Sequence, residues 1–243
     1  MRTVRTTPLI LGILAEVALL VALAATVGLS AAGWVLGVAY GVILNGLLAY
    51  GLAGTDDGRL GPADLVTLTR ATLVGGVLAL VPRDGHPTLL VALVVVALAG
   101  DFLDGWMARR TGTVTDLGAQ FDGEVDAFLI LVLCVPVART QGDWVLIIGA
   151  ARYAFLVAGA PLPWMRGSLP PRYWRKVVAA IQGIVLGAAL IPNRWTGLTL
   201  VLALGLLTES FGRDVLWLWT HRTVNRAPVG SRVVNRHAST RSR

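Results

Sequence analysis

Residues 89–126 read LLVALVVVALAGDFLDGWMARRTGTVTDLGAQFDGEVD. The first twelve residues form an uninterrupted apolar run, and the next 26 contain six acidic side chains. The run does not alternate apolar and polar residues as a transmembrane β-strand does, so it predicts a membrane-spanning helix. Acidic residues are expensive to bury near lipid unless a cation compensates them. This stretch therefore predicts a helical membrane protein with a charged site where two consecutive spans end.

The composition of the whole chain supports this class. Of 243 residues, 55% are hydrophobic and only 14% are charged, and the mean hydropathy is +0.70. Soluble domains carry about 25% charged residues. A net charge of +7 would suggest nucleic acid in a soluble protein, but the positive-inside rule explains it here, and we expect no nucleic-acid partner. The single cysteine, Cys134, excludes a disulfide framework and a cysteine metal site.

Apolar runs separated by glycine, proline and polar breakers predict about eight transmembrane helices. They lie at about residues 9–29, 32–54, 63–82, 87–108, 118–138, 144–163, 177–192 and 196–219. The first run resembles a signal peptide, but it is long enough to span, so we interpret it as a retained helix. Glu16 lies inside this run, and we expect it to reach interfacial water near the helix end.

The basic residues fix the orientation of these spans. With the N-terminus in the cytoplasm, most arginines and lysines fall in cytoplasmic loops and ends, and the outer loops receive only Arg83, Arg139 and Arg194. This distribution predicts a multi-pass protein of the cell membrane with both termini and the acidic site in the cytoplasm. The tail at residues 221–243 has six arginines and no acid. It either binds anionic lipid headgroups or only fixes the topology.

The spacing of the acids brings them to two helix faces. At about 100° per residue, Asp101 and Asp104 share one face, and Asp122 and Asp126, four apart, share another. The two faces can converge with four carboxylates between them. Ligands of oxygen alone suit Mg²⁺ or Mn²⁺, and four carboxylates are enough for two ions, an arrangement that can hold both oxygens of a phosphoryl displacement. Arg109 ends the first face and can clamp an anionic oxygen.

Small residues accompany these charges. Gly105 and Gly118 lack side chains where a ligand or a helix must come close. The small side chain of Ala108 leaves space at the centre of the helix face that carries Asp101 and Asp104. One alternative is a set of buried ion pairs that only stabilises the helix bundle, but this stretch supplies only Arg109 and Arg110 as matching cations. A second alternative is a cation transporter, which would gain nothing from an arginine on the ligand face.

From Asp101 to Asp126 the chain resembles the CDP-alcohol phosphotransferase family, whose motif D-x2-D-G-x2-A-R-x8-G-x3-D-x3-D is matched at every defined position. The resemblance implies an all-α integral membrane fold with a six-helix core, usually homodimeric, and a metal site that faces the cytoplasm. It implies transfer of a phosphatidyl-type group from a CDP-alcohol, such as CDP-diacylglycerol, to an alcohol acceptor with release of CMP, in phospholipid biosynthesis. A catalytically silent relative is a further alternative, against which the complete motif argues.

The resemblance also implies roles for single residues. Three aspartates would be metal ligands: Asp101, Asp104 and Asp122. Asp126 would be both a ligand and the catalytic base. Four positions would bind the CDP group: Gly105, Ala108, Arg109 and Gly118.

The domain organisation follows from where the resemblance lies. The core would occupy residues 63–220, preceded by a pair of transmembrane helices at residues 1–62 and followed by the basic tail at residues 221–243. Residues 64–70, DLVTLTR, resemble the first core helix of the family, which often has asparagine where Asp64 stands. The role of Asp64 therefore stays open.

Basic residues in the second half of the chain are candidates for binding the acceptor. Arg152 lies within the sixth span and should face a cavity or a partner. The loop that follows brings three more basic residues to the same side: Arg172, Arg175 and Lys176. Together they could hold the phosphate of an acceptor such as glycerol phosphate or inositol phosphate, although positive-inside charge explains the loop equally well. Late in the last span, we expect Arg213 and Asp214 to pair with each other.

Overall fold

The computed structural model describes residues 7–53, 62–82, 86–111, 116–167, 169–170 and 173–222. All regular structure in these ranges is helical. The eight α-helices are α1 (Thr7–Thr26), α2 (Ala31–Ala53), α3 (Pro62–Leu80), α4 (Pro87–Thr111), α5 (Asp116–Gln141), α6 (Leu146–Ala158), α7 (Tyr173–Ala189) and α8 (Thr196–Thr220). Two short 3₁₀ turns, Asp143–Val145 and Pro163–Arg166, flank α6.

Each predicted span corresponds to one of these helices, with differences at the ends. The predicted helix at residues 144–163 is shorter in the structure because Pro161 and Pro163 cannot continue an α-helix beyond Ala158. Helix α7 begins four residues before the predicted start at residue 177, since the basic residues that suggested a loop form its first turn.

Within the described ranges, two helices are long and apolar enough by themselves to cross a membrane: Leu9–Thr26 and Ala31–Ala53. The apolar stretches Leu65–Leu80 and Pro87–Gly100 are shorter. Large apolar side chains stay exposed on the outward faces of the bundle, among them Val42 of α2. Apolar surface of this extent is unusual on a soluble monomer and is what a lipid-facing surface requires.

Helices α3 and α5 form the centre of the bundle. Helix α3 contacts α1, α2, α4 and α5, and α5 also contacts α6 and α7. Val74 and Val77 of α3 and Leu133 of α5 are fully buried. The site residues that α3 and α5 carry are therefore held by neighbours on several sides.

The hairpin of α1 and α2 packs closely on α3. The Tyr40 hydroxyl of α2 donates to the Ala71 carbonyl of α3 at 2.9 Å, and the Tyr40 ring stacks on Phe128 of α5 with centroids 5.1 Å apart. At Gly33 the approach is closer still, because a Cβ there would lie 2.4 Å from the Ala79 carbonyl oxygen. Only glycine permits this contact.

The structure corrects the expectation for Glu16. Its side chain is 4% exposed and lies between the helices against Gly41 and Gly75. Neither carboxylate oxygen has a hydrogen-bond partner among the described residues. The expectation was wrong because two glycines on neighbouring helices leave room for the side chain inside the bundle, which a hydropathy pattern does not reveal.

The contact at Gly33 yields a prediction about stability. Gly33→Ala should lower the free energy of unfolding by about 1–3 kcal/mol, because the added methyl group forces the α2 and α3 backbones apart. The apparent melting temperature in detergent, followed by circular dichroism, measures the effect. Gly46→Ala, on the same helix, is the matched control, since no atom lies within 4 Å of a Cβ there. Equal melting temperatures for the two variants would contradict this packing.

Candidate active site

Two motif aspartates meet a buried arginine between α3 and α5. Asp122 and Asp126 lie one turn apart on α5, and their side chains are 30% and 29% exposed. Arg70 of α3, 2% exposed, donates from Nη1 to Asp122 Oδ1 at 2.5 Å and from Nη2 to Asp126 Oδ1. One guanidinium therefore bridges both carboxylates. Hydrogen bonds between charged groups of this kind are stronger than neutral ones.

The same arginine is anchored to α4. Its Nε donates to the Ala97 carbonyl at 3.1 Å, and its aliphatic stem fills the space that Gly100 leaves open. Ala97 precedes Asp101, the first motif residue, by one helical turn. Arg70 thus links the helices that carry the two halves of the motif.

This arrangement corrects one step of the sequence argument. The acidic stretch itself offers only Arg109 and Arg110 as cations, but the cation that pairs with Asp122 and Asp126 is Arg70, from outside the stretch. The signal was present in the sequence, because a charged residue inside a predicted span requires a partner. The partner could not be identified, since the rotation of α3 relative to α5 is not encoded in spacing along the chain.

The other motif positions are described by their backbone. Five of them lie on the C-terminal part of α4, and their side chains lie outside the described residues: Asp101, Asp104, Gly105, Ala108 and Arg109. Gly118 lies in the first turn of α5 and is partly buried. Among the side chains that the structure describes, no group of three or more histidine, cysteine or acidic residues is arranged to hold a metal. The described portion of the predicted ligand set is the pair Asp122 and Asp126.

Arg152 has the partner that its position in a span requires. Its guanidinium contacts both carboxylate oxygens of Glu124, with Nη2 donating to Oε1 and Nε lying 3.4 Å from Oε2. The two side chains are 41% and 43% exposed. Two residues along a helix correspond to a rotation of about 200°, so Glu124 points away from the face of α5 that carries Asp122. Sequence reasoning gave Glu124 no role.

Of the remaining basic candidates, Arg175 of α7 contacts α8. Arg175 Nε lies 3.1 Å from Asp214 Oδ2, and Arg175 Nη2 donates to the Pro170 carbonyl. Lys176 is exposed, and Arg172 lies outside the described residues. The structure therefore gives Arg152 and Arg175 acidic partners on different helices, α5 and α8.

The predicted pairing of Arg213 with Asp214 is wrong. Arg213 pairs with Glu209, one turn earlier on α8, and Asp214 pairs with Arg175 of α7. Adjacent residues on a helix point about 100° apart and do not face each other, whereas residues four apart do.

Comparison with known proteins gives this geometry a context. A family model described as CDP-alcohol phosphatidyltransferase matches residues 61–209, which is 149 of the 243 residues. The matched region includes the whole motif together with Arg70. The chain belongs to the CDP-alcohol phosphatidyltransferase family. The match begins after α2, so the hairpin of α1 and α2 lies outside it.

Similar curated proteins carry one name, CDP-diacylglycerol–glycerol-3-phosphate 3-phosphatidyltransferase. The protein from Rickettsia felis is 26% identical over 135 residues, covering 54% of this chain and 71% of the relative. The Rickettsia prowazekii protein is 28% identical over 139 residues, covering 54% and 71%. The Pectobacterium atrosepticum protein is 31% identical over 135 residues, covering 52% and 74%. No solved structure matches the chain.

These findings confirm the family predicted from the motif and, with it, the reaction class. The protein is a membrane enzyme of phospholipid synthesis that transfers a phosphatidyl-type group from a CDP-alcohol to an alcohol acceptor. Enzymes of this family generally depend on a divalent metal. Nothing in the comparisons favours the cation transporter.

Proposed function

We propose that this phosphatidyltransferase takes CDP-diacylglycerol as its donor and glycerol 3-phosphate as its acceptor, and releases CMP. The observation that carries the proposal is the pair Asp122 and Asp126, one turn apart on α5 and bridged by Arg70, which also bonds to Ala97 of the helix that bears the first half of the motif. The relatives named above supply the choice of donor and acceptor.

In this proposal the metal ligands are the four motif aspartates: Asp101, Asp104, Asp122 and Asp126. Carboxylate oxygens are the ligands that Mg²⁺ and Mn²⁺ prefer, and Mg²⁺ is commonly bound by one or two carboxylates together with substrate phosphates. Four carboxylates carry a formal charge of −4, and the single positive charge of Arg70 leaves −3 to be compensated. One divalent ion would leave a formal charge of −1 and two would leave +1, so this charge deficit supports one or two ions. A bound ion would stabilise the charge of the diphosphate during displacement.

The CDP group would lie against the small residues of the motif. Gly105, Ala108 and Gly118 would leave space beside the aspartates because their side chains are small or absent, and Arg109 could contact a phosphate oxygen with two parallel hydrogen bonds. The partly buried position of Gly118 in the first turn of α5 is consistent with a ligand approaching there.

The reaction would be a single displacement at the phosphorus on the lipid side of the diphosphate. The acceptor hydroxyl oxygen forms a bond to this phosphorus as the bond to the CMP oxygen breaks. The hydroxyl proton passes to the carboxylate of Asp126, the deepest motif acid on its helix, about 12 Å beyond Gly118. Positioning and electrostatic stabilisation then supply most of the catalysis, as in phosphoryl transfer generally.

The acceptor phosphate would be held by basic residues of the second half of the chain, with Arg152 first. Its guanidinium is partly exposed and already makes a two-point contact with a carboxylate, Glu124. A phosphate group offers the same two-point geometry with more charge, and it can take the place of Glu124. Three further residues would add positive charge: Arg172, Arg175 and Lys176.

The proposed topology is the one that the charges predict. All eight helices would cross or enter the cell membrane, with both termini and the aspartate site in the cytoplasm, and two chains would form a homodimer. Single-cysteine labelling in a Cys134→Ala background tests the orientation, and a cysteine at position 112 should react only after the cells are opened. Labelling of position 112 from outside intact cells would overturn the topology.

The acceptor is tested by CMP release from the purified protein with CDP-diacylglycerol, Mg²⁺ and a panel of alcohols. We expect release with glycerol 3-phosphate and little with glycerol, because only the former carries the phosphate that Arg152 would bind. Excess EDTA should abolish release. Equal rates with both alcohols would contradict phosphate recognition, and full turnover in EDTA would contradict the metal site.

The separate roles of two aspartates form a second prediction. Asp104→Asn should lose both metal binding and activity, whereas Asp126→Asn should still bind metal and CDP-lipid but lose about 10²–10⁴-fold in kcat, the size of a general-base effect. Calorimetric binding of the CDP-lipid and steady-state kinetics measure the two effects. If Asp126→Asn abolishes CDP-lipid binding as fully as Asp104→Asn does, Asp126 is a ligand first and another group is the base.

Substitutions of Arg152 and of Glu124 should have different effects on the KM for the acceptor. Arg152→Gln should raise the KM for glycerol 3-phosphate about 10- to 100-fold, the equivalent of about one charged hydrogen bond, and leave the KM for CDP-diacylglycerol nearly unchanged. Glu124→Gln removes the competing carboxylate and should leave the acceptor KM equal or lower. A similar loss for both substrates in Arg152→Gln would indicate a structural role instead.

A further inference from the structure

Arg70 is the most deeply buried charged side chain among the described residues. All three of its nitrogens have hydrogen-bond partners: Nε contacts Ala97, Nη1 contacts Asp122 and Nη2 contacts Asp126. The residue lies outside the eight-position motif, and the function proposed above counts its charge but gives it no role toward the metal or the substrates. Because the motif does not include this buried arginine, the motif alone does not explain why all of its nitrogens are hydrogen-bonded at the site.

The geometry of the contacts suggests what the arginine does. It donates to Oδ1 of Asp122 and to Oδ1 of Asp126. A guanidinium is planar and its donors form a rigid fork. The plane of the Arg70 guanidinium therefore orients both carboxylates and fixes how they lie relative to each other. The bond from Nε to the Ala97 carbonyl fixes that plane relative to α4. The orientation of Asp122 and Asp126 is thereby coupled to the helix that carries Asp101.

Gly100 provides the space for this arrangement. A Cβ at Gly100 would lie 2.6 Å from Arg70 Cγ and 2.8 Å from Arg70 Cδ, too close for any side chain. Gly100 immediately precedes Asp101, so the stem of the arginine passes directly beside the start of the motif. A substitution at Gly100 would displace Arg70 without removing any charge.

We propose that Arg70 is a positioning residue for the aspartate site. It holds the carboxylates of Asp122 and Asp126 in the orientation that binds the divalent cation, and it keeps them in register with α4. This inference rests on the proposed function, because it assumes that the aspartates bind a metal. It differs from a purely structural ion pair, whose loss would change stability but not the metal affinity of the protein that remains folded.

The test is Mn²⁺ binding to the full-length protein in detergent, measured by electron paramagnetic resonance without any lipid substrate. Arg70→Gln and Gly100→Ala should each weaken Mn²⁺ binding about 10- to 100-fold, the usual effect of removing a residue that orients metal ligands. Arg70→Lys should fall between Arg70→Gln and the wild type, since an ammonium keeps the charge but lacks the fork. The Mn²⁺ concentration needed for half-maximal activity should shift in the same order.

The matched control is Arg139→Gln. Arg139 also donates to a backbone carbonyl, that of Val81 just after α3, at 2.9 Å, but it lies at the other end of α5. It should therefore bind Mn²⁺ as the wild type does. Should Arg70→Gln fail to fold, Arg70→Lys and Gly100→Ala carry the same test.

The possible outcomes separate the two levels of the proposal. Mn²⁺ affinity in Arg70→Gln or Gly100→Ala equal to that of the wild type would overturn the positioning role. Tighter binding in Arg70→Gln would also overturn it, and would show that Arg70 competes with the cation. If the wild type binds no Mn²⁺, or if Asp104→Asn binds it normally, the metal site of the proposed function is itself wrong and the role of Arg70 falls with it.

Discussion

The contact on which the arrangement of the site depends is the guanidinium of Arg70, which joins α3, α4 and α5 at one point. A buried arginine is costly unless each of its donors is satisfied, and here the partners come from two other helices. If any of the three helices rotated or slid by a turn, the buried guanidinium would lose at least one of these hydrogen bonds. The relative depth of α4 and α5, and with it the placement of the two halves of the motif, is tied to this contact.

Much of this organisation could be predicted from the sequence. The eight helices follow from apolar runs and breakers, and the site follows from six acids in a chain that has few. What the sequence could not supply is the rotation of one helix against another. It therefore gave no indication that Arg70 faces Asp122, that Glu16 lies between glycines, or that Arg213 prefers Glu209 to its neighbour. Each of these contacts is between side chains whose distance depends on packing rather than on spacing along the chain.

The hairpin of α1 and α2 lies outside the family match, yet it contacts residues of α3 and α5 next to the site. Tyr40 contacts the carbonyl of Ala71, the residue next to Arg70, and its ring stacks on Phe128, two residues beyond Asp126. The hairpin thus supports the same two helices that Arg70 joins. Its close packing through Gly33 and its buried Glu16 show that it is an integral part of the bundle and not an appended anchor.

Helix α5 carries acids on opposite sides, with Asp122 and Asp126 toward α3 and Glu124 toward α6. Under the proposed roles, the α3 side of this helix carries out the reaction at the diphosphate, and the α6 side recognises the alcohol. Substitutions on the α6 side can then alter which alcohol is accepted while the reacting centre keeps its geometry. With such a division, enzymes that share one reaction mechanism can evolve to make different phospholipid products.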